Sequence, residues 1–160
     1  PYGWLTVPEV IQFSSNICTA KIGERLGRDR LGEALRGFGF GRPTGIGLPG
    51  EVSGIFPDPG KWGRIHVVTN SFGQGSSVTA MQLVRGYAAL ANGGQLMRPY
   101  VVRRVIADDG TVLQENKPQV EGIPLSAPTA RAITGMMELV VEDGTATKAR
   151  IPGVRVAGKT

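Results

Sequence analysis

The sequence predicts an α+β fold, in which helices pack on antiparallel strands. Helix-capping side chains precede several stretches whose apolar residues recur every three to four positions. A turn between two short runs of alternating residues indicates a β-hairpin and therefore antiparallel pairing. The chain has 24 glycines and 11 prolines, which together make up 35 of its 160 residues. This excess indicates many turns and loops between the regular elements.

The first predicted helix begins at a capping box. In Thr6-Val7-Pro8-Glu9 a hydroxyl and a carboxylate stand three positions apart, and proline is tolerated in the first helical turn. We expect this helix to run to about Phe13. The chain then breaks at Ser14-Ser15-Asn16, residue types whose side chains bond nearby backbone groups and favour helix caps.

Two further helices are predicted directly after this break. Cys18, Ile22 and Leu26 fall on one face of the second helix, which stops at Gly27. Asp29 caps the third helix. The inward residues of the third helix are Leu31, Leu35 and Phe38. Because free cysteine is among the most buried residue types, Cys18 is interpreted as a small core residue and not as a nucleophile.

A long segment rich in glycine and proline, residues 39–63, follows the third helix. Within it, the run Gly45 to Gly50 fits the dinucleotide pattern G-x-G-x-x-G. Phosphate binding by that pattern needs a strand before it and a helix after it, and neither is predicted here. We therefore interpret the run as a plain loop. His66 is expected in a loop or just before a strand, without the orienting partner that a catalytic histidine needs.

The second half of the chain predicts two helices, a hairpin and a strand. Thr79-Ala80-Met81-Gln82 is a capping box, and the helix it opens ends at Asn92-Gly93-Gly94. A hairpin spans residues 101–114 and is expected to form a satellite ribbon at about 100–115, apart from any main sheet. A last helix starts at Ser126 and ends at Gly144. The inward residues are Leu83, Val84, Tyr87 and Leu90 in the first of these helices and Ala130, Ile133, Met137 and Val140 in the last. Alternation from Val154 to Thr160 predicts a half-buried strand.

Composition excludes several classes of function. The 18 Lys and Arg against 13 Asp and Glu give a net charge of +5, and the basic residues lack the interleaved aromatics of a nucleic-acid surface. One cysteine and one histidine argue against a disulfide framework and against a metal cage. No apolar run reaches the roughly 18 residues of a membrane span. We therefore expect no nucleic-acid partner, no metal and no cofactor.

Two short motifs carry the functional hypothesis. Ser14-x-Asn16 lies at a break between helices, and Lys159-Thr160 lies on the predicted terminal strand. S-x-N-type and K-T-G motifs, with S-x-x-K, mark penicillin-binding proteins and class A β-lactamases. Each motif alone is weak. Taken singly, Ser14 and Asn16 are equally typical of helix caps, and Lys159 and Thr160 of a solvated strand end.

Over essentially its whole length the chain resembles the transpeptidase domain of class B penicillin-binding proteins, especially those of the septal, division type. The matching segments are Ser14–Asn16 with the helix after it, Gly45–Gly54, Lys61–Trp62, Ser71–Gly75, Val78–Leu83, Ala91–Gly94, Arg98–Pro99, Asp143–Thr145 and Val156–Thr160. The resemblance implies a penicillin-binding protein/serine β-lactamase-like fold, with helices packed on an antiparallel sheet. It implies that most of that sheet lies outside this chain.

Two departures from the family pattern concern the reaction itself. No serine here is followed by lysine three places later, so the S-x-x-K nucleophile motif is absent, and K-T-G lacks its third residue. The chain begins at Pro1-Tyr2-Gly3-Trp4 without a methionine and stops at Thr160. We therefore expect residues 1–160 to be a partial transpeptidase domain, truncated at both ends. The nucleophile and a membrane anchor are expected outside it.

The resemblance implies a role for each candidate residue. In this family the upstream serine attacks the penultimate D-alanine carbonyl of a stem peptide, and an amine from another strand resolves the acyl-enzyme. Ser14 is expected to relay the proton to the leaving amine, and Asn16 to contact the substrate amide and the missing lysine. Lys159 supplies positive charge, while Thr160 and Gly158 contact the substrate. Ser14 and Lys159 should then lie within about 3 to 5 Å of each other.

The resemblance also implies partners and a location. The expected partners are peptidoglycan stem peptides ending in D-Ala-D-Ala, β-lactams, and other division or cell-wall proteins. The expected location is the outer face of the bacterial plasma membrane. A penicillin-sensing receptor or a non-catalytic homologue would share every quoted residue and remains the main alternative. A β-lactamase is less well matched, because no deacylating glutamate can be assigned.

Overall fold

The computed structural model describes residues 3–160, which form five helices and four short strands. In chain order the helices are α1 (Val7–Gln12), α2 (Asn16–Gly37), α3 (Arg64–Ser71), α4 (Ala80–Ala91) and α5 (Ala127–Asp143). The strands are β1 (Leu96–Met97), β2 (Arg104–Ile106), β3 (Val112–Glu115) and β4 (Val120–Gly122). Single 3-10 turns lie at Pro59–Lys61 and Thr147–Ala149. The predicted α+β class is confirmed.

Helix α2 joins the second and third predicted helices. Gly27 has φ 75° and ψ 168°, so the helix kinks at the residue that the sequence marks as a stop. The inward face differs from the expectation, because Ile22 and Leu26 are exposed. The contacts are made instead through glycines, since a Cβ on Gly23 would lie 1.7 Å from Ser71 Oγ of α3. The absence of a side chain there allows the two helices to approach closely.

Helix α3 corrects the expectation for His66, which lies inside this helix and not in a loop or before a strand. The helix starts after Gly63, which has no side chain to act as a cap. The His66 Nδ1 atom accepts a bond from the Gly63 N–H at 3.3 Å and satisfies one of the free donors of the helix start.

The glycine-rich segment between α2 and α3 is a loop, as predicted, and the Glu51 carboxylate binds its residues Thr44 and Gly45. Glu51 accepts bonds from the Thr44 N–H (2.6 Å), the Thr44 hydroxyl (2.5 Å) and the Gly45 N–H (3.1 Å). The Thr44 hydroxyl, followed by these backbone donors, lowers the pKa of Glu51 below its ordinary value. The Glu51 carboxylate therefore has a structural role at the start of the run Gly45 to Gly50.

Helix α4 buries a different face from the predicted one. Its buried residues are Gln82, Arg85, Gly86 and Ala89. Gln82 donates to the Arg42 carbonyl (2.8 Å) and the Ser53 carbonyl (2.9 Å), and Arg85 donates to the Met97 carbonyl (2.8 Å) and pairs with Glu121. These long polar side chains anchor the loop and the β1–β4 pair. Three predicted inward residues, Leu83, Val84 and Tyr87, are exposed instead.

The strands form two separate antiparallel pairs. β1 pairs with β4, and β2 pairs with β3 in the predicted hairpin, which shares no strand with the other pair. The predicted strand from Val154 to Thr160 is wrong, because residues 155–160 have no ladder partner among the described residues. That segment runs along α5 instead, where the Gly158 N–H donates to the Met137 carbonyl at 3.2 Å.

Helix α5 supplies the main apolar core of the described residues. Ala130, Met137 and Val140 of the predicted stripe are buried, together with Val141, whereas the predicted Ile133 is only half-buried and lines a cavity. The helix packs against α1 on one side and α4 on the other. No helix among residues 3–160 has the length and apolar character needed to cross a bilayer.

Candidate functional site

Ser14 lies in the turn that ends α1, in a conformation that glycine usually adopts. Its φ is 54°, the left-handed region. The Ser14 N–H donates to the Ile11 carbonyl (3.2 Å) and the Ser15 N–H to the Val10 carbonyl (3.1 Å). These two bonds define a Schellman motif with Ser14 at its left-handed position. The turn projects the Ser14 hydroxyl out of the helix end.

The neighbouring residues separate helix capping from the site. Ser15, and not Ser14, is the cap of α2, because its Oγ accepts the Cys18 N–H at 3.4 Å. Asn16 is the first residue of α2. The side chains of Ser14 and Asn16 both line one cavity. Of the three residues Ser14-Ser15-Asn16, Ser15 is therefore the one that caps a helix.

Lys159 reaches Ser14 across 145 positions of sequence. Its Nζ donates to the Ser14 Oγ at 2.7 Å and to the Thr160 carbonyl at 2.6 Å. This contact confirms the predicted convergence of the two residues. Partial burial lowers the pKa of the Lys159 amine below its ordinary value. A lowered pKa eases proton exchange between the amine and the hydroxyl it contacts.

Thr160 has a partner that the sequence did not reveal. Its Oγ1 lies 2.6 Å from the Thr145 Oγ1, in the loop that follows α5. Asp143-Gly144-Thr145 is one of the segments that resemble the family, and the resemblance implies no role for the threonine. The one available signal was a glycine-threonine pair at a helix end, which is too common to single out a residue.

A cavity of about 470 Å³ opens beside these residues. One edge is polar and comprises Ser14, Asn16, Thr19, Ser71, Lys159 and Thr160. The remaining wall is apolar and comprises Ile11, Leu35, Phe38, Phe40, Phe72, Leu83, Gly86, Tyr87, Leu90, Ile133 and Met137. The wall contains Leu83, Tyr87 and Leu90 of the α4 residues that the sequence expected to be buried, whereas Val84 is exposed outside it. Most of the predicted stripe of α4 therefore belongs to the site.

The geometry permits two kinds of chemistry. A serine hydroxyl bonded to a lysine amine can pass a proton, since the hydroxyl both donates and accepts. The same pair could also activate the serine itself as a nucleophile, with the lysine as base. The positive charge of Lys159 also favours an anionic group at the polar edge of the cavity. The arrangement therefore fits acyl transfer with an anionic substrate.

Helices packed around a serine–lysine contact match the fold and site of one class of known domains. A family model described as the penicillin-binding protein transpeptidase domain matches residues 1–160, and the chain belongs to this family. The resemblance to class B penicillin-binding proteins is thereby confirmed.

Two curated relatives are each 38% identical to this chain. They are penicillin-binding protein PbpB of Mycolicibacterium smegmatis, over 97% of this chain, and stage V sporulation protein D of Bacillus subtilis, over 99% of it. The chain spans 25% of the length of each.

Solved structures show the same fold. Penicillin-binding protein 3 of Mycobacterium tuberculosis is 35% identical and superposes with a TM-score of 0.90, over 96% of this chain and 36% of that one. That protein has also been solved in complex with aztreonam and with ampicillin. The described helices and strand pairs are therefore those of a penicillin-binding protein transpeptidase domain.

Proposed function

We propose that this chain is part of a peptidoglycan D,D-transpeptidase that cross-links stem peptides through a serine acyl-enzyme. The observation that carries the proposal is the 2.7 Å bond from Lys159 to Ser14 at the edge of the cavity, within a transpeptidase-family fold. Because the chain spans about a quarter of its curated relatives, the activity belongs to a longer protein.

We propose that the helix that carries the S-x-x-K nucleophile packs into the apolar cavity. Its walls are too apolar to favour water, and its polar edge brings together the side chains that an acyl-transfer serine needs nearby. A helix in that position would cover Leu83 and Tyr87, whose spacing predicted burial. It would also place the attacking serine beside Ser14 and Lys159.

The proposed acylation step begins with attack on the penultimate D-alanine carbonyl. The lysine of the S-x-x-K motif in the longer protein takes the proton of the nucleophilic serine, whose oxygen forms a bond to that carbon, and the C–N bond to the terminal D-alanine breaks. Ser14 passes a proton to the leaving amine and receives one in turn from the protonated Lys159 amine that donates to it. Asn16 is positioned at the cavity edge to hold the substrate amide, with both a donor and an acceptor.

The second step transfers the acyl group. The nitrogen of an amine from a neighbouring stem peptide forms a bond to the ester carbon, the C–O bond to the serine breaks, and the proton that the amine loses passes to the serine oxygen. During the first step, Lys159 favours the anionic end of the substrate, and Thr160 with Gly158 contacts its carboxylate, which then leaves with the terminal D-alanine. A β-lactam presents a similar carbonyl and carboxylate, and the Mycobacterium tuberculosis relative binds two β-lactams. β-Lactams are therefore proposed ligands of the same site.

Location and further partners follow from the proposed reaction. Stem peptides are cross-linked outside the plasma membrane, so we place the longer protein at the outer face of that membrane, held by an anchor in another part of its sequence. One relative is named stage V sporulation protein D and another peptidoglycan D,D-transpeptidase FtsI, and we propose other division or cell-wall proteins as further partners.

The test uses the full-length protein and polymerised peptidoglycan strands with D-Ala-D-Ala ends. Mass spectrometry of the digested product should show cross-linked dimers. Lys159→Ala should slow their formation about 100-fold or more, because proton transfer contributes about that factor. The control Lys148→Ala removes an exposed lysine from the turn after α5 and should leave the rate unchanged. Penicillin binding without any dimer would instead identify a receptor, and rapid release of hydrolysed penicillin a β-lactamase.

A further inference from the structure

Thr145 is fixed in space by bonds from two helix ends. Its N–H donates to the Gln12 carbonyl (3.4 Å), at the last residue of α1. The Gln12 side chain, which is buried, donates in return to the Asp143 carbonyl (2.8 Å). The next residue, Ala146, donates its N–H to the Val140 carbonyl (3.0 Å). The Thr145 backbone is therefore held between α1 and α5.

Gly144 makes this close approach possible. A Cβ there would lie 2.6 Å from the Gln12 carbonyl oxygen and 2.7 Å from the Val140 Cα. Contacts this short are not tolerated by backbone atoms. The loop after α5 is thereby pressed against the end of α1, two residues before Ser14. The same short stretch that carries Ser14 thus positions Thr145.

The Thr145 hydroxyl lies 2.6 Å from the Thr160 hydroxyl. A hydroxyl has one proton to donate and two lone pairs that accept. If Thr160 donates to Thr145, its single proton is used and it cannot donate to a ligand. If Thr145 donates, the Thr160 oxygen accepts that bond and its own proton is free. The direction of this bond therefore decides whether Thr160 can bind an anion.

We infer that Thr145 is a positioning residue that donates to Thr160 and turns the Thr160 proton toward a substrate carboxylate. The inference rests on the proposed transpeptidase function and extends it to a residue outside the S-x-N and K-T-G motifs. The nearby Lys159 ammonium, 2.6 Å from the Thr160 carbonyl, adds positive charge to the same edge of the cavity. Recognition of the carboxylate then depends on two hydroxyls, that of Thr145 in the loop after α5 and that of Thr160 in the last segment of the chain.

The experiment compares a penicillin with its methyl ester on the full-length protein. Second-order acylation rate constants are measured for both compounds. Thr145→Val keeps the shape of the side chain and removes the hydroxyl. It should lower the rate with the acid about tenfold and the rate with the ester less than about twofold, because only the acid presents a charged acceptor. Thr145→Ser should restore the rate with the acid.

A matched control separates this effect from a general loss of structure. Thr129→Val removes the hydroxyl that lies 2.8 Å from Ser126 Oγ at the other end of α5, and should change neither rate. Equal losses for acid and ester in Thr145→Val, or no loss with the acid, would overturn the inference. Wild-type protein that reacts with neither compound would overturn the proposed function and this inference with it.

Discussion

Helices α4 and α5 carry similar apolar stripes but use them in opposite ways. α5 buries Ala130, Met137 and Val140 of its stripe, and Val140 is 0% exposed. α4 turns Leu83, 46% exposed, to the cavity and buries Gln82 and Arg85 in its place. The spacing of apolar residues along a helix locates its apolar face but does not identify the element that packs against that face. In α5 the cover is α1 and α4, whereas in α4 it is the proposed nucleophile helix.

The largest effect should come from the buried polar face of α4. Arg85 is almost fully buried, pairs with Glu121 and bonds the Met97 carbonyl. Arg85→Ala should lower the free energy of unfolding by about 3 kcal/mol, because it leaves a partly buried carboxylate and a carbonyl unpaired. Urea unfolding of the 160-residue chain would measure this.

A surface pair serves as the control for Arg85. Arg104 bonds Glu115 in the exposed hairpin at 2.7 Å. Arg104→Ala should lower stability by less than about 1 kcal/mol, since exposed pairs contribute little. A loss for Arg85→Ala no larger than that for Arg104→Ala would show that polar anchoring does not hold α4 in place.

A smaller effect should distinguish the two apolar stripes directly. Val140→Ala should destabilise the 160-residue chain by about 2 kcal/mol, because it opens a cavity in a filled core. Leu83→Ala should cost less than about 0.5 kcal/mol in that chain, since Leu83 already faces open space. In the full-length protein the Leu83→Ala cost should rise to about 2 kcal/mol, as for Val140→Ala.

Two results with these variants would contradict the proposed packing of the nucleophile helix on α4. If Leu83→Ala cost as much as Val140→Ala in the short chain, α4 would already be covered without the nucleophile helix. If Leu83→Ala left the free energy of unfolding of the full-length protein unchanged, the nucleophile helix would not pack into the cavity. Urea unfolding monitored by circular dichroism gives the first comparison, and hydrogen exchange of α4 gives the second.

The smallest effect concerns the end of α1 that faces the same cavity. Ser14→Gly and Ser14→Ala both remove the hydroxyl, but glycine adopts the φ of 54° without strain. The glycine variant should therefore be about 1 kcal/mol more stable than the alanine variant.

Ala132, which is exposed within α5, is the control, because the stability difference between glycine and alanine should have the opposite sign there. Glycine there should be about 1 kcal/mol less stable than alanine, as in any helix interior. Thermal unfolding of the four proteins would check both differences. A more stable alanine variant at Ser14 would mean that the left-handed turn is not maintained in solution.

Local signals in the sequence predicted the helix starts well. Thr6, Thr79 and Ser126 are caps or capping boxes in the structure, and Gly27 is a kink. Helix α3 was missed because Gly63 offers no capping side chain. The β1–β4 pair was missed because strands of two and three residues, far apart in sequence, carry no periodicity of their own.

The site was predicted by resemblance, and its local environment was not. Spacing alone could not bring Lys159 to Ser14, since only the packing of α1, α5 and the last segment does so. The contact between Thr145 and Thr160 depends on a loop pressed against α1, which no local pattern encodes. The predicted burial of Leu83 on α4 was wrong for a related reason, because the nucleophile helix proposed to cover it lies outside this chain.

The most direct test of the account is the site of penicillin attachment. Intact-mass spectrometry after incubation with a labelled penicillin, followed by peptide mapping, is applied to the full-length protein and to the 160-residue chain. We predict one adduct on the full-length protein, at a serine outside this chain, and none on the 160-residue chain, which has no S-x-x-K motif. A stoichiometric adduct on Ser14 would make it the nucleophile and contradict its role as a relay, and a full-length protein without any adduct would contradict the transpeptidase itself.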